Sequence, residues 1–307
     1  MKVDVVIPTL CPKERFAESV SLLERQSLPV NRIIVMNTED GGTEGLTDIP
    51  AFLERHPKVT LFHLARREFD HGATRNEGVA QSDAEIFVCM TQDALAADEF
   101  LLERLVGALL QKEGIAVAYA RQLPEEDCSV TERFTRQFNY PEQSQVKGKA
   151  DIARLGIKTF FCSNVCAAYR RDIFDALGGF VPHTIFNEDM IYAARAVYAG
   201  YEIAYAADAR VIHSHNYTVR QQFSRNFDLG VSHAQYPEIF ADVPPEGEGA
   251  RLVKKTAVYL LRNHPFLLPK LVVQSGAKLL GYRLGKHYEK LPRRLVICCS
   301  SQKAYWN

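Results

Sequence analysis

Glu85-Ile86-Phe87-Val88-Cys89-Met90-Thr91-Gln92-Asp93 is an apolar run that ends in acid. Five apolar residues in a row, flanked by polar ones, suit a strand buried on both faces, the kind found in parallel sheets. The chain leaves such a strand at the carboxyl edge of the sheet, where open α/β folds bind ligands. Asp93 therefore stands where a charge can do chemistry, although a strand-end aspartate can equally cap a helix or solvate a turn. Asn187-Glu188-Asp189 and His213-Ser214-His215 supply further acids and imidazoles. Together with Asp93 they could form a metal-and-base site for a charged, phosphorylated substrate.

Working outward, strands and helices alternate from the start. Val3–Ile7 reads as a buried strand, and 13–26 as a helix with Phe16, Val20 and Leu23 on one face. Strand 33–36, a turn at Asp40-Gly41-Gly42, a short helix at 49–56 and strand 59–64 follow. A helix over 74–80 feeds the strand at 85–90, and the apolar-periodic helix 99–110 leads to strand 115–120. This alternation predicts an α/β fold with a doubly wound, mostly parallel sheet. The polar stretch 122–158 reads as an insertion over the active face. Order resumes at 160–169, then in a helix over 172–177 closed by Gly178-Gly179. A helix over 190–198 ends at Gly200, and short strands are expected at 202–205 and 209–213. Residues 241–250, with Pro244-Pro245 and two glycines, read as a linker between a catalytic domain, 1–240, and a helical extension, 251–307.

The 307 residues carry no net charge, but the balance is uneven along the chain. From Arg251 onward there are twelve Lys/Arg and one acid, Glu289, giving +11, so residues 1–250 carry −11. A basic tail on an acidic body suits an anionic partner such as a membrane surface. Its lysines could also be the solvated face of a helical cap; Tyr259, Phe266, Tyr282 and Trp306 add the aromatic component of an interfacial anchor. The apolar stretch 257–280 is cut by Arg262, His264, Pro265, Pro269, Lys270 and Lys278, short of the roughly 18 uninterrupted residues of a span. The first residues form no apolar signal region. A cytoplasmic protein, at most peripheral on the inner face of the cell membrane, is expected, with no nucleic-acid partner. The seven cysteines suit free buried thiols, since Cys162 and Cys166 have no second pair to complete a zinc site.

Each candidate also has a plain structural reading. Glu188 and Asp189 open a helix, where carboxylates favour the dipole without catalytic duty. Alternate residues of a strand face opposite ways, so one of His213 and His215 is expected to face the site. Glu39 and Asp40 could be no more than a polar turn before Gly41-Gly42.

The order of these blocks carries more than any one of them. Val5-Val6-Ile7-Pro8-Thr9, Gly72-Ala73-Thr74-Arg75-Asn76-Glu77-Gly78, the strand ending in Asp93, and Asn187-Glu188-Asp189 resemble the landmarks of inverting family 2 glycosyltransferases of the GT-A fold. Phe69-Asp70-His71-Gly72, Thr91-Gln92-Asp93-Ala94, Phe161-Cys162-Ser163-Asn164, Ala167-Ala168-Tyr169-Arg170-Arg171 and His213-Ser214-His215-Asn216-Tyr217, with Gln221-Gln222-Phe223 and Arg225, are similar to bacterial rhamnosyltransferases. The resemblance implies transfer of L-rhamnose from dTDP-L-rhamnose to a cell-surface glycan, the acceptor carried on a polyprenyl diphosphate. It implies Mg2+ or Mn2+ held by Asp93 and His213, with His215 as the alternative; Thr91-Gln92-Asp93 keeps only the last acid of the family's metal motif. It makes Asp189 the general base and Glu188 its orienter or an acceptor ligand. Pro8, Thr9, Glu39 and Asp40 fall where the family holds the nucleoside. Gln92, Asp93 and Arg75 fall near the diphosphate, with Arg225 a further cation, and Ser163 and Asn164 near the sugar or acceptor. The rival readings are another donor such as a UDP-hexose, a non-catalytic glycan- or partner-binding member of the fold, and a metal-dependent hydrolase.

Overall fold

The computed structural model describes residues 1–39, 48–243 and 246–306. Its first half is β1 (Val3–Leu10), α1 (Glu14–Glu24), β2 (Arg32–Glu39), α2 (Ile49–Arg55), β3 (Val59–Ala65), α3 (His71–Ala80), β4 (Ile86–Met90), β5 (Leu95–Ala96), α4 (Leu101–Leu110) and β6 (Ile115–Leu123). The polar insertion forms α5 (Val130–Asn139), β7 (Gln145–Lys147) and α6 (Ile152–Leu155). Then come β8 (Cys166–Arg170), α7 (Arg171–Ala176), α8 (Glu188–Tyr198) and β9 (Glu202–Ile212). Helices α9 (Val219–Gln235), α10 (Pro237–Phe240), α11 (Glu246–Asn263), α12 (Leu268–Lys286) and α13 (Arg293–Cys299) complete the chain.

The strands join in one sheet of order β3-β2-β1-β4-β8-β6-β9-β5, with β7 also on β9. β1 to β4, β6 and β9 run one way, and β8, β7 and β5 run against them. The decisive apolar run behaves as its pattern demands. Ile86, Val88 and Met90 face a core layer with Val5, Ile7, Phe16, Val20 and Leu102. Phe87 and Cys89 face the other layer, with Val6, Met36, Val79 and Tyr192. Helices thus cover both faces, and every residue of β4 is buried. On the second face Phe87, Tyr169, Phe174, Phe180 and Tyr192 form an aromatic cluster, its rings 4.8–5.9 Å apart. Because β2 and β4 pair with β1 on opposite sides, the strand order reverses there, and the carboxyl ends of β1 and β4 border the crevice this creates.

Two sequence expectations change. The two short strands expected at 202–205 and 209–213 are one strand, β9, whose pairing with β6 slips between Ala120↔Ala206 and Arg121↔Arg210. The irregularity absorbs the weak Ala206-Ala207-Asp208 segment without ending the strand. The linker is also shorter than 241–250, because α11 begins at Glu246.

The C-terminal helices are anchored through α9. A Cβ on Gly281 would lie 2.3 Å from the Phe223 carbonyl oxygen, and one on Gly285 2.0 Å from that of Phe227. Only glycine permits so close a crossing of α9 and α12. Ser301 donates its backbone N–H (2.9 Å) and its hydroxyl to Asp228, pinning the segment after α13 to α9. Among the described residues no helix is long and apolar enough to cross a membrane.

Candidate active site

Beyond the carboxyl ends of β4 and β9, one acid meets two imidazoles. Asp93 Oδ1 lies 3.5 Å from His213 Nε2, and Oδ2 lies 3.3 Å from His215 Nε2. Both histidines reach the site because the strand has ended: β9 stops at Ile212, and the rings then meet edge to face, 4.7 Å apart. Strict alternation therefore does not apply, and the two imidazoles do not divide between faces. Burial pushes the Asp93 carboxyl up, but the hydrogen bond and charge of His213 and the charge of His215 outweigh it and hold the group well below the usual carboxylate range. Burial, reinforced by His213, pushes His215 down to about 4.

The donor set suits a divalent cation. His213 Nδ1 lies 3.1 Å from Gln122 Oε1, an oxygen that also accepts from Arg136. Nδ1–H is thus engaged by Gln122, and loss of the proton on Nε2 would leave a lone pair facing the site. Asp93, His213 and His215 each offer one ligand atom, all within 4.8 Å of one another. A carboxylate and imidazole lone pairs converging this closely repel unless a cation lies among them.

The second cluster forms where α8 begins. Asn187 is left-handed, φ 67°, and turns the chain so that Glu188 and Asp189 open the helix. Strain of this kind persists where the surroundings enforce it. Here Ser232 of α9 accepts from Asn187 Nδ2 at 3.3 Å and donates to the Phe186 carbonyl at 2.9 Å. Glu188 is buried and pairs with the buried Arg75 of α3 at 3.1 Å. Although burial raises the Glu188 carboxyl, Arg75 and then His71 outweigh it and hold Glu188 ionised. Asp189 behaves oppositely. Burial, then the neighbouring charge of Glu188, push it up to about 7, against hydrogen bonds from the backbone N–H groups of Asn164 (2.9 Å) and Met190 (2.7 Å). A carboxyl poised near neutrality suits a general base.

Other expected residues are placed differently. The Gln92 amide accepts from the Leu10 N–H (2.8 Å) and donates to the Leu10 carbonyl (3.0 Å), completing backbone pairing where β1 ends. Ser163 accepts from Gln122 Nε2 at 3.0 Å. Asn164 is buried; its amide donates to Glu188 at 3.1 Å and accepts from the Tyr169 hydroxyl at 2.7 Å, so it orders the acids. Arg75 is committed to Glu188 and the His71 carbonyl. Thr9 and Asn37, at the ends of β1 and β2, share a 2.9 Å hydrogen bond, with His63 beyond Asn37 and Glu39 3.3 Å from His63. Pro8 precedes Thr9 on this rim, half-buried, and Asp40 lies outside the described residues.

Gln122 is the residue the sequence reading missed. Buried at the end of β6, it bonds His213, Arg136 and Ser163, next to the Asn164 N–H that binds Asp189. It joins the two clusters. The available signal was the polar pair Arg121-Gln122 near the end of an otherwise apolar strand. Arg225 of α9 lies over the rings of Tyr217 (4.7 Å) and Phe186 (5.4 Å), and among the described residues no carboxylate pairs with it.

Comparison with known proteins places the chain in a family. The sequence model of glycosyl transferase family 2 matches residues 4–178. The O-antigen chain rhamnosyltransferase RfbN of Salmonella typhimurium (strain LT2) is 41% identical over 309 residues, covering all of this chain and 96% of that protein. The O-antigen chain rhamnosyltransferase WbaN of Salmonella anatum is 48% identical over 306 residues, covering 99% of this chain and 95% of that one. Among solved structures, the mannosyltransferase PcManGT of Pyrobaculum calidifontis, in complex with GDP-Man and Mn2+, aligns over 99% of this chain and 84% of its own, with TM-score 0.58 and 18% identity. TarS 1-349 of S. aureus in complex with UDP-GlcNAc aligns over 99% and 85%, with TM-score 0.54 and 16% identity. The sheet, its crevice and the placement of helices are those of the GT-A fold, and the chain is a glycosyltransferase belonging to family 2.

Proposed function

We propose that the enzyme moves L-rhamnose from dTDP-L-rhamnose to a hydroxyl of an O-antigen or other cell-surface polysaccharide intermediate, with inversion at the anomeric carbon. Asp189, pushed up to about 7 beside the fixed charge of Glu188, is the observation that carries the chemistry. The choice of sugar rests on full-length similarity to two O-antigen chain rhamnosyltransferases.

Asp189 takes the proton of the acceptor hydroxyl as its oxygen attacks C1 of the sugar. The C1–O bond to the diphosphate breaks on the opposite face, so a β-linked donor gives an α-linked product. Glu188 cannot share this duty, because Arg75 and Asn164 occupy its carboxylate. It keeps Asp189 basic by its charge and does not take the proton itself. Thr9, Asn37, His63 and Glu39 form a polar rim for the nucleoside, and Arg225 offers the diphosphate an unpaired guanidinium. Asp93, His213 and His215 would hold Mg2+ or Mn2+, which when bound supplies Lewis-acid neutralisation of the departing diphosphate. Two imidazoles favour Mn2+ of the two.

The acceptor is read as polyprenyl-diphosphate-linked and met at the inner face of the cell membrane. On α11 and α12 Leu261, Val272, Val273 and Leu280 are exposed, as is Phe266 between them, among Lys254, Lys255, Arg262 and Lys270. This is the composition of a surface that lies on anionic lipid. Incubation of purified protein with dTDP-L-rhamnose, UDP-glucose and UDP-galactose, with linkage analysis of the product, tests the reading. Transfer from dTDP-L-rhamnose alone, giving an α-rhamnoside, is expected, and preferential turnover of a UDP-hexose overturns the donor assignment.

A further inference from the structure

A cleft of about 820 Å3 opens between α5, α9, α11 and α12. That size lies within the roughly 300–1,000 Å3 of ligand pockets. It borders the candidate active site, since His215 and Tyr217 line it. Polar residues alternate with apolar ones along its walls, but most of the surface they present is apolar, Leu229, Leu252 and Leu271 contributing to it. Its rim carries Val253 and Leu279, which line the cleft and remain 37% and 45% exposed. Leu279 continues into the exposed Leu280, on the helix that also exposes Val272 and Val273.

One feature does not fit a purely apolar ligand. Lys278 lines the cleft half-buried, and among the described residues no carboxylate lies within ion-pair distance of it. The one acid in the lining, Glu132, is bound to Arg136 at 2.8 Å. Burial also pulls the Lys278 ammonium below its ordinary value, with Glu132 acting the other way. Lys254 adds a second cation to the lining, with no ion-pair partner among the described residues. Apolar walls, unpaired cations and an opening among exposed leucines and valines fit an amphiphile with a long hydrocarbon chain and an anionic head.

We infer that this cleft seats the isoprenoid phosphate portion of the acceptor, its chain against α11 and α12, its phosphate at Lys278, and its sugar end toward His215 and the catalytic acids. The inference rests on the lipid-linked acceptor proposed above and names the residues that hold it. Charge complementarity and continuity with the site select this occupant over a second protein.

Direct binding of geranylgeranyl phosphate to the full chain, by calorimetry and without donor, tests it. Saturable binding is expected, weakened at least tenfold by Val253→Trp and by Leu279→Trp, which fill the rim from exposed positions. Lys278→Met should weaken geranylgeranyl phosphate about tenfold and leave geranylgeraniol unaffected, a contrast that general misfolding cannot produce. Undiminished binding in all three variants overturns the assignment, as does binding of inorganic diphosphate equal to that of geranylgeranyl phosphate. Rhamnosyl transfer to a water-soluble acceptor without prenyl binding sinks the cleft alone. Prenyl binding without turnover of dTDP-L-rhamnose sinks the donor reading alone.

Discussion

Asp93 and Asp189 are the same residue type in the same crevice, and their surroundings drive them apart. Asp93 follows a strand and faces two imidazoles, which hold it ionised despite partial burial. Asp189 opens a helix beside a second carboxylate that Arg75 keeps charged, and is pushed up to about 7. On the assignment proposed above, one acid stays an anion and the other exchanges a proton. Two carboxyl groups set apart by environment reveal a division of labour that residue identity conceals. Gln122 holds the two ends in a fixed relation, bonding His213 on one side and Ser163, beside the Asp189 ligand Asn164, on the other.

The largest effect is expected from removing the proposed proton acceptor. Asp189→Asn should lower transfer by about 10²–10⁴-fold, the usual worth of a positioned general base, with donor binding retained in a titration of the protein with dTDP-L-rhamnose. Near-normal turnover in that variant would falsify the division between the two acids. In the native enzyme the same group must be ionised to act. The rate should therefore fall as the pH drops below about 7, and this inflection should vanish from the residual activity of Asp189→Asn. Arg75→Met leaves Glu188 buried without its counter-charge; a loss of about 3–5 kcal/mol is expected for such a pair, read in a denaturant melt. An unchanged melt would mean that Glu188 is protonated and gives Asp189 no field.

Gln122→Leu should weaken Mn2+ binding about 10–100-fold, the range for residues that orient a ligating histidine, as read by calorimetry on the folded variant. If Mn2+ affinity stays unchanged, Gln122 does not set the His213 tautomer. The smallest change is expected from Arg225→Ala, a rise in the KM for donor of about tenfold, equivalent to roughly 1.4 kcal/mol of lost charge-assisted hydrogen bonding. A fall in kcat at constant KM would instead place Arg225 on the transition state.

Much of this was legible before the structure. The chain from β1 to β6 follows its apolar pattern closely, because a sheet covered on both faces leaves continuous hydrophobic strands between amphipathic helices. Asp93, Glu188, Asp189 and His213 were candidates less for their positions, each of which also has a plain structural reading, than for the order of their blocks along the chain. The hidden parts are those whose meaning depends on a partner distant in sequence. Gln92 looked like a ligand and bonds the backbone of Leu10, 82 residues away. Asn164 looked like a sugar contact and fastens two acids 24 and 25 residues further on. Gln122 sits 91 residues from His213 and carried no motif at all. β5 and β7, with two and three residues, are too short for any periodicity to register.

The glycine-to-backbone crossing of α9 and α12 has a practical consequence for anyone building hybrids between this enzyme and its relatives. Sequence composition invites a cut at the Pro-rich segment near residue 244, which would exchange α11 to α13 as a cassette and leave α9 behind. The carbonyls of Phe223 and Phe227 accept the α12 backbone only where glycine stands at 281 and 285. A cassette with larger residues at those two positions would lift α12 from α9 and with it disturb Arg225 and Ser232. The natural seam is therefore the segment after β9, around Tyr217-Thr218, where the Thr218 side chain accepts from the Gln221 N–H to start α9. Hybrids joined there would exchange α9 and α12 as a matched pair.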